Sequence, residues 1–249
     1  MRNRWLVLSL AATLIGVGAR PSQATPVAGL PAPTIDVNGT QIPLASLGCA
    51  SPSGGSGGPL ACHGTGFQGN GFSLDQWEFV LNPDPTITST FTLTNLSTLQ
   101  QTFIMTVTLP IASVGPAIAI SGSTSNGMLT DLNANGATLT DAGSALFSNL
   151  VNGSVLETLM DPPQLYVAPP DPFGAPSSVP IPPVSYGPVV LNQTADVNMQ
   201  IRWKFSLTAK DQLALKGVFD IQPTQVPEPG TLLLLGSGLA GLVASRRRG

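Results

Sequence analysis

The chain has 249 residues, of which only 9% are charged, with 27 glycines and 24 prolines. Six of its ten basic residues (Arg2, Arg4, Arg20, Arg246, Arg247, Arg248) lie in the two end segments. Only Arg202, Lys204, Lys210 and Lys216 remain in the body against 13 acidic residues, a net charge of −9 for residues 25–228. That body offers no basic face to a phosphate backbone, which disfavours nucleic acid as a partner, and none is expected. Low charge with abundant Thr, Ser, Asn, Gly and Pro is instead the composition of extracellular β proteins.

Residues 1–24 have the form of a secretory signal peptide. Arg2 and Arg4 precede an apolar run over 5–19, and Ser22-Gln23-Ala24 supplies a small-x-small site that predicts cleavage between Ala24 and Thr25. Residues 25–225 then form the exported domain, long enough for one sizeable core. Its first part, 25–41, is Pro- and Gly-rich and reads as an extended leading strand or loop. Cys49 and Cys62 bracket a Gly/Ser-rich loop. In an exported protein they are most simply a disulfide, and closing a loop of this length is worth about 3 kcal/mol. The only histidine, His63, stands beside Cys62. A thiol–imidazole nucleophile or a Cys/Cys/His metal site are the alternatives, disfavoured by adjacency and by the lack of a fourth ligand.

Strands begin at Phe72. Residues 86–94 alternate, with Ile87, Phe91 and Leu93 on one side. Residues 101–109 alternate again, with Phe103, Met105, Val107 and Leu109 together. Joined by a short polar link, the two runs predict a β-hairpin buried on one face. Short strands and turns continue over 111–140. Within them, Asp131, Asn133, Asn135 and Gly136 form the opening half of a calcium loop, with oxygen ligands at alternate positions before a glycine turn. The second half is missing, since Leu139 and Ala142 stand where ligands belong, and an Asn-Gly turn explains the same residues.

Residues 141–151 place Leu146, Phe147 and Leu150 at helical spacing behind a capping Asp141, predicting one short helix. Ten prolines in 161–188 predict a long loop crossing between sheets, with polyproline stretches. Residues 197–207 give the strongest β pattern. Val197, Met199, Ile201, Trp203, Phe205 and Leu207 share one face, marking a strand across the centre of the core. A final strand covers 215–221.

Enzymatic chemistry has few carriers. One histidine, with no G-x-S-x-G nearby, does not make a nucleophilic triad. Asp75 and Glu78 are the carboxylate pair available for glycoside hydrolysis. Trp77, Trp203, Tyr166 and Tyr186 exhaust the Trp and Tyr of the body, few for a sugar-stacking platform.

The last segment, 226–249, has three parts in fixed order: Pro227-Glu228-Pro229, an apolar run over 231–244, and Arg246-Arg247-Arg248. Apolar run then basic cluster is the pattern of a membrane helix whose charged end stays in the cytoplasm. The run is short for a hydrocarbon core of about 30 Å, which arginine snorkelling and local thinning can offset. A literal G-x-G-x-x-G at 236–241 has no preceding strand and no following acidic residue, so it is no dinucleotide site. Small residues for close helix packing account for it.

This tail resembles the PEP-CTERM sorting signal of exported proteins from exopolysaccharide-producing Gram-negative bacteria, through Pro227-Glu228-Pro229-Gly230, the Leu232 to Val243 run and the three arginines. The resemblance implies Sec export, transient anchoring in the inner membrane, and processing near Pro227-Glu228-Pro229 by an exosortase. Residues 91–95 and 101–110 are also similar to the body of many proteins with this tail, a β-sandwich of unassigned activity. The expected fold is therefore all-β, a jelly-roll-like antiparallel sandwich with one short helix, a signal peptide and a C-terminal transmembrane helix. The leading expectation is a non-enzymatic protein of the cell surface, exopolysaccharide matrix or biofilm, without cofactor. A carbohydrate-binding β-sandwich, with or without calcium, is the alternative, and a secreted hydrolase comes third.

Overall fold

A computed structural model describes residues 32–50, 59–82, 84–115 and 117–224. The predicted signal peptide with its Ala24–Thr25 cleavage site and the predicted transmembrane helix of the 226–249 tail lie outside the described residues. The strands, in chain order, are β1 (Thr34–Val37), β2 (Thr40–Ile42), β3 (Cys49–Ala50), β4 (Leu60–Gly69), β5 (Phe72–Asn82), β6 (Thr86–Asn95), β7 (Gln101–Pro110), β8 (Ile118–Thr124) and β9 (Gly127–Asp131). They continue with β10 (Ala137–Asp141), β11 (Phe147–Val151), β12 (Ser154–Leu159), β13 (Leu165–Ala168), β14 (Ser177–Ile181), β15 (Val184–Leu191), β16 (Asn198–Leu207) and β17 (Gln212–Pro223). One 3-10 turn, Leu44–Leu47, precedes β3.

The strands form two antiparallel sheets packed as a sandwich. The first has the order β12-β11-β16-β7-β1-β2, and β10, carrying β13, shares the second edge of β16 with β11. The other runs β3-β4-β5-β6-β17, and the second edge of β17 is divided between β8 and β9, which carry β15 and β14. Each sheet is thus built on one long pair, β7–β16 and β6–β17.

Alternation in these four strands makes the core. Met199, Ile201, Trp203, Phe205 and Leu207 of β16 and Phe103, Met105 and Val107 of β7 are fully buried. They face Ile87, Phe91, Leu93, Leu213 and Phe219 from the opposite sheet, all equally buried. Aromatic rings tie the layers at mid-core, Trp203 lying 4.6 Å from Phe147 and 5.8 Å from Phe91 between ring centres. Gly217 on β17 makes the room: a Cβ there would stand 2.5 Å from the Phe147 ring and 2.6 Å from the indole. A polar strut also crosses the sandwich, where Asn149 Nδ2 on β11 donates to Tyr186 Oη on β15 at 2.6 Å. Burial, against the Asn149 bond, pushes that phenol up to about 12.

Four expectations from the sequence are corrected. The predicted helix over 141–151 does not form: Asp141 ends β10 and residues 147–151 are β11. All five β11 residues are buried, so the strand lacks a polar alternation, and its remaining apolar spacing imitates a helix. Asp141 caps backbone all the same, its Oδ1 accepting from Gly143 N and its Oδ2 from Gln164 N. These two bonds, Gln164 first, hold its carboxyl below the ordinary range.

The predicted β6–β7 hairpin is likewise absent, because β6 pairs with β5 and β17, and β7 with β1 and β16. Residues 96–100 arch from one sheet to the other, so the two apolar faces oppose each other across the core. Hairpin and arch bury the same residues, and alternation does not distinguish them.

The proline-rich 161–188 segment does cross between sheets, but it also contributes β13, β14 and the start of β15. Each of these strands has one ladder partner. An edge strand tolerates a residue such as Pro180 that lacks an N–H. Finally, Val197 precedes β16 and is 57% exposed instead of joining the core face.

Candidate functional site

The register places four crossings between the sheets at one end of the sandwich: residues 96–100, 132–136, 169–176 and 208–211. β17 starts at this far pole and runs to the opposite, near pole, where Thr224 N donates to Ala117 O. β1 starts at the near pole too, with Thr34 opposite Thr108. Both ends of the described body therefore emerge together.

Asn95 organises the far pole. Fully buried, it donates through Nδ2 to the carbonyls of Leu99 (3.0 Å), Leu207 (2.9 Å) and Thr208 (3.0 Å). Its Oδ1 accepts from Ser97 N at 3.0 Å and Ser97 Oγ at 2.7 Å. Its backbone N and O pair with Asp211 O and Lys210 N. One side chain thus fastens two arches.

Asp131 and Asp211, both fully buried, are neighbours in the same region. Asp131 Oδ1 accepts from Asn133 N at 3.1 Å and its Oδ2 from Gly136 N at 2.7 Å, while Asn133 Oδ1 accepts from Asn135 N at 3.2 Å. The residues singled out for calcium thus lie together on one turn, with these oxygens engaged in shaping it. Among the described residues, no group of three or more His, Cys, Asp or Glu side chains is placed to hold a metal ion. Asp211 Oδ2 accepts from Thr208 Oγ1, and among the described residues its buried Oδ1 has no hydrogen-bond partner. Burial first, and the charge of Asp131 with it, raise the Asp211 carboxyl above the ordinary range against the Thr208 bond. Once protonated, Asp211 becomes a donor beside Asp131.

The sign of the pH effect follows. A carboxyl with a raised folded value binds more protons folded than unfolded, so its ionisation costs stability as pH rises above about 4 and through that folded value. Asp211→Asn keeps a donor without a titrating group. The variant's stability advantage over the parent is expected to grow from about pH 4 upward and then level off, as read from paired melts across pH. A pH-independent difference would refute the raised Asp211 carboxyl.

Cys49 and Cys62 are joined by a disulfide between facing positions of β3 and β4. His63 is exposed on β4, opposite Glu78 of β5. Asp75 accepts from Ser73 Oγ at 2.6 Å, Gln212 Nε2 at 3.0 Å and Thr94 Oγ1, which ties both its oxygens into the sheet. Trp77 and Trp203 are buried. Asn95, although within an N-x-S sequence, is fully buried.

A cleft of about 480 Å³ opens on the far pole where the β1–β2 turn, the β4–β5 turn and the start of β7 meet. Neither it nor Asp211 was singled out from the sequence, and Asn95 stood out only for its N-x-S context. Each becomes visible only when distant segments are brought together.

Comparison with known proteins agrees with the tail. Residues 225–248 match the PEP-CTERM protein-sorting motif. The match covers Pro227, Glu228, Pro229, Arg246, Arg247 and Arg248, about a tenth of the chain. No curated protein and no solved structure matches the chain. The chain carries a PEP-CTERM sorting motif at its C-terminal end. The motif implies an exported protein, anchored transiently at its C-terminus, with exosortase processing as the kind of partnership. No described helix is long and apolar enough to cross a membrane.

Proposed function

We propose that this is a non-enzymatic protein of the outer surface or exopolysaccharide matrix, delivered there by its tail. The observation that carries the reading is the sorting motif over residues 225–248. Sec export removes residues 1–24, and the body folds as a jelly-roll-like sandwich. The apolar run over 231–244 spans the inner membrane, with Arg246, Arg247 and Arg248 on the cytoplasmic side. Exosortase then acts near Pro227-Glu228-Pro229 and frees the body, whose acidity suits solubility outside the cell. The near-pole position of Thr224 supports this order, because the described chain ends at one pole of the sandwich and not within its core. The reading without catalysis is supported by the hydrogen bonds that occupy Asp75 and by the remote, exposed position of the only histidine.

The test is expression in an exosortase-positive strain and its exosortase-deleted sibling. The intact precursor is expected to accumulate in inner membranes of the deletion strain and to be replaced by a shorter released form in the parent. Replacing Pro227, Glu228 and Pro229 together by alanine is expected to reproduce the deletion phenotype. Equal size and location in both strains would refute sorting by this route.

A further inference from the structure

We propose that the far-pole cleft binds a neutral oligosaccharide through the side-chain amides and hydroxyls of Asn38, Thr40, Asn70, Gln100, Gln101 and Thr102. This goes beyond the sorting reading and does not depend on it. The cleft, about 480 Å³, falls in the range of about 300–1,000 Å³ typical of small-ligand sites. No Lys, Arg, His, Asp or Glu lines it. Its two apolar members, Val37 and Phe72, are 0% and 3% exposed, so they offer little greasy surface. An anionic ligand would need a cation and an apolar ligand a dry wall, and neither is present. Amides present a donor and an acceptor side by side, which suits sugar hydroxyls that both give and accept. The body's net charge of −9 disfavours acidic glycans and leaves the neutral ones.

Several of these groups are held in place. Asn38, at φ 54°, accepts from Ile104 N through Oδ1 at 2.7 Å, which fixes its amide plane and leaves the NH2 free. Thr102 Oγ1 is paired with Ser206 Oγ at 2.7 Å. The Gln101 amide lies over Gly71, at φ +79°, where a Cβ would come within 3.1 Å of Oε1. Among the described residues, the amides of Asn70, Gln100 and Gln101 make no hydrogen bond to protein and stand ready for a ligand. Position matters too. β17, 12 residues long and therefore about 40 Å from end to end, separates this pole from the one the tail leaves. The cleft therefore lies at the pole away from Thr224, the last described residue.

The experiment titrates the full chain, in detergent, with four neutral oligosaccharide series (gluco-, xylo-, manno- and galacto-configured) and with oligogalacturonate as the acidic comparison. At least one neutral series is expected to bind, in the high micromolar to millimolar range for want of an aromatic platform. The double variant Asn70→Ala/Gln101→Ala is expected to weaken that binding about tenfold or more with the melting temperature unchanged. Thr90→Ala, on the outer face of the β5–β6–β17 sheet, is expected to leave it intact. No binding by any neutral series up to about 10 mM (a Kd worth less than about 3 kcal/mol), preference for the acidic one, or equal binding by the double variant would each overturn the proposal. Equal size and location of the chain in the exosortase-positive and exosortase-deleted strains would leave this titration unaffected, so the two readings fail separately.

Discussion

Trp203→Ala is expected to destabilise the body by about 3–5 kcal/mol, the range for emptying a fully enclosed large aromatic site. The indole is completely buried between Phe91 and Phe147 and rests against the bare backbone at Gly217. Rigid strands on both sides limit collapse into the space, which keeps the cost high. Its Nε1 finds no hydrogen-bond partner among the described residues, so Trp203→Phe, which keeps a ring and removes that unpaired donor, is expected to cost far less than alanine. Gly217→Ala attacks the same contact from the other sheet and destabilises by overpacking. Chemical denaturation of the released body measures all three. A loss below about 1 kcal/mol for Trp203→Ala would mean that the indole is not enclosed.

Asn95→Ala is the second large effect, an expected loss of about 2–4 kcal/mol. Removing the amide strands the carbonyls of Leu207 and Thr208, leaves that of Leu99 to the Ser97 hydroxyl alone, and releases Ser97 N at a pole where two arches share this one fastener. Each buried group left unpaired costs about 1–3 kcal/mol, with water relieving part of it at Leu99. Asn95→Asp is expected to be worse, because it turns an acceptor toward three carbonyls. Hydrogen exchange localises the damage: protection should fall first at the start of β7 and of β17. Uniform loss over both sheets, or none, would show that Asn95 does not hold the arches.

Much of this architecture was legible because alternation survives wherever a strand is buried on one face, as in β6, β7, β16 and β17. It failed in β11, buried on both faces between β12 and β16, where the residual spacing of Leu146, Phe147 and Leu150 imitates a helical stripe. It was silent about pairing. The 96–100 link looks the same whether its flanking strands lie side by side or face to face, and only the amide of Asn95, bonded more than a hundred residues away, records the second arrangement. The prolines of 161–188 suggested irregular backbone because sequence does not reveal which strands will be edges. Of the functional elements, the sorting tail was readable since its parts are contiguous. The calcium half-loop was readable as a turn, and Asp211, some 80 positions on, gives that turn its buried neighbour.

The central claim is that the chain is exported and parted from its C-terminal segment. Intact-mass measurement of the native protein recovered from cytosol, inner membrane and medium tests it most directly. The account predicts a released form that begins at Thr25, retains the Cys49–Cys62 bond and has lost the apolar run with Arg246, Arg247 and Arg248. A full-length chain found soluble in the cytosol, with both cysteines reduced and all three arginines attached, would contradict it.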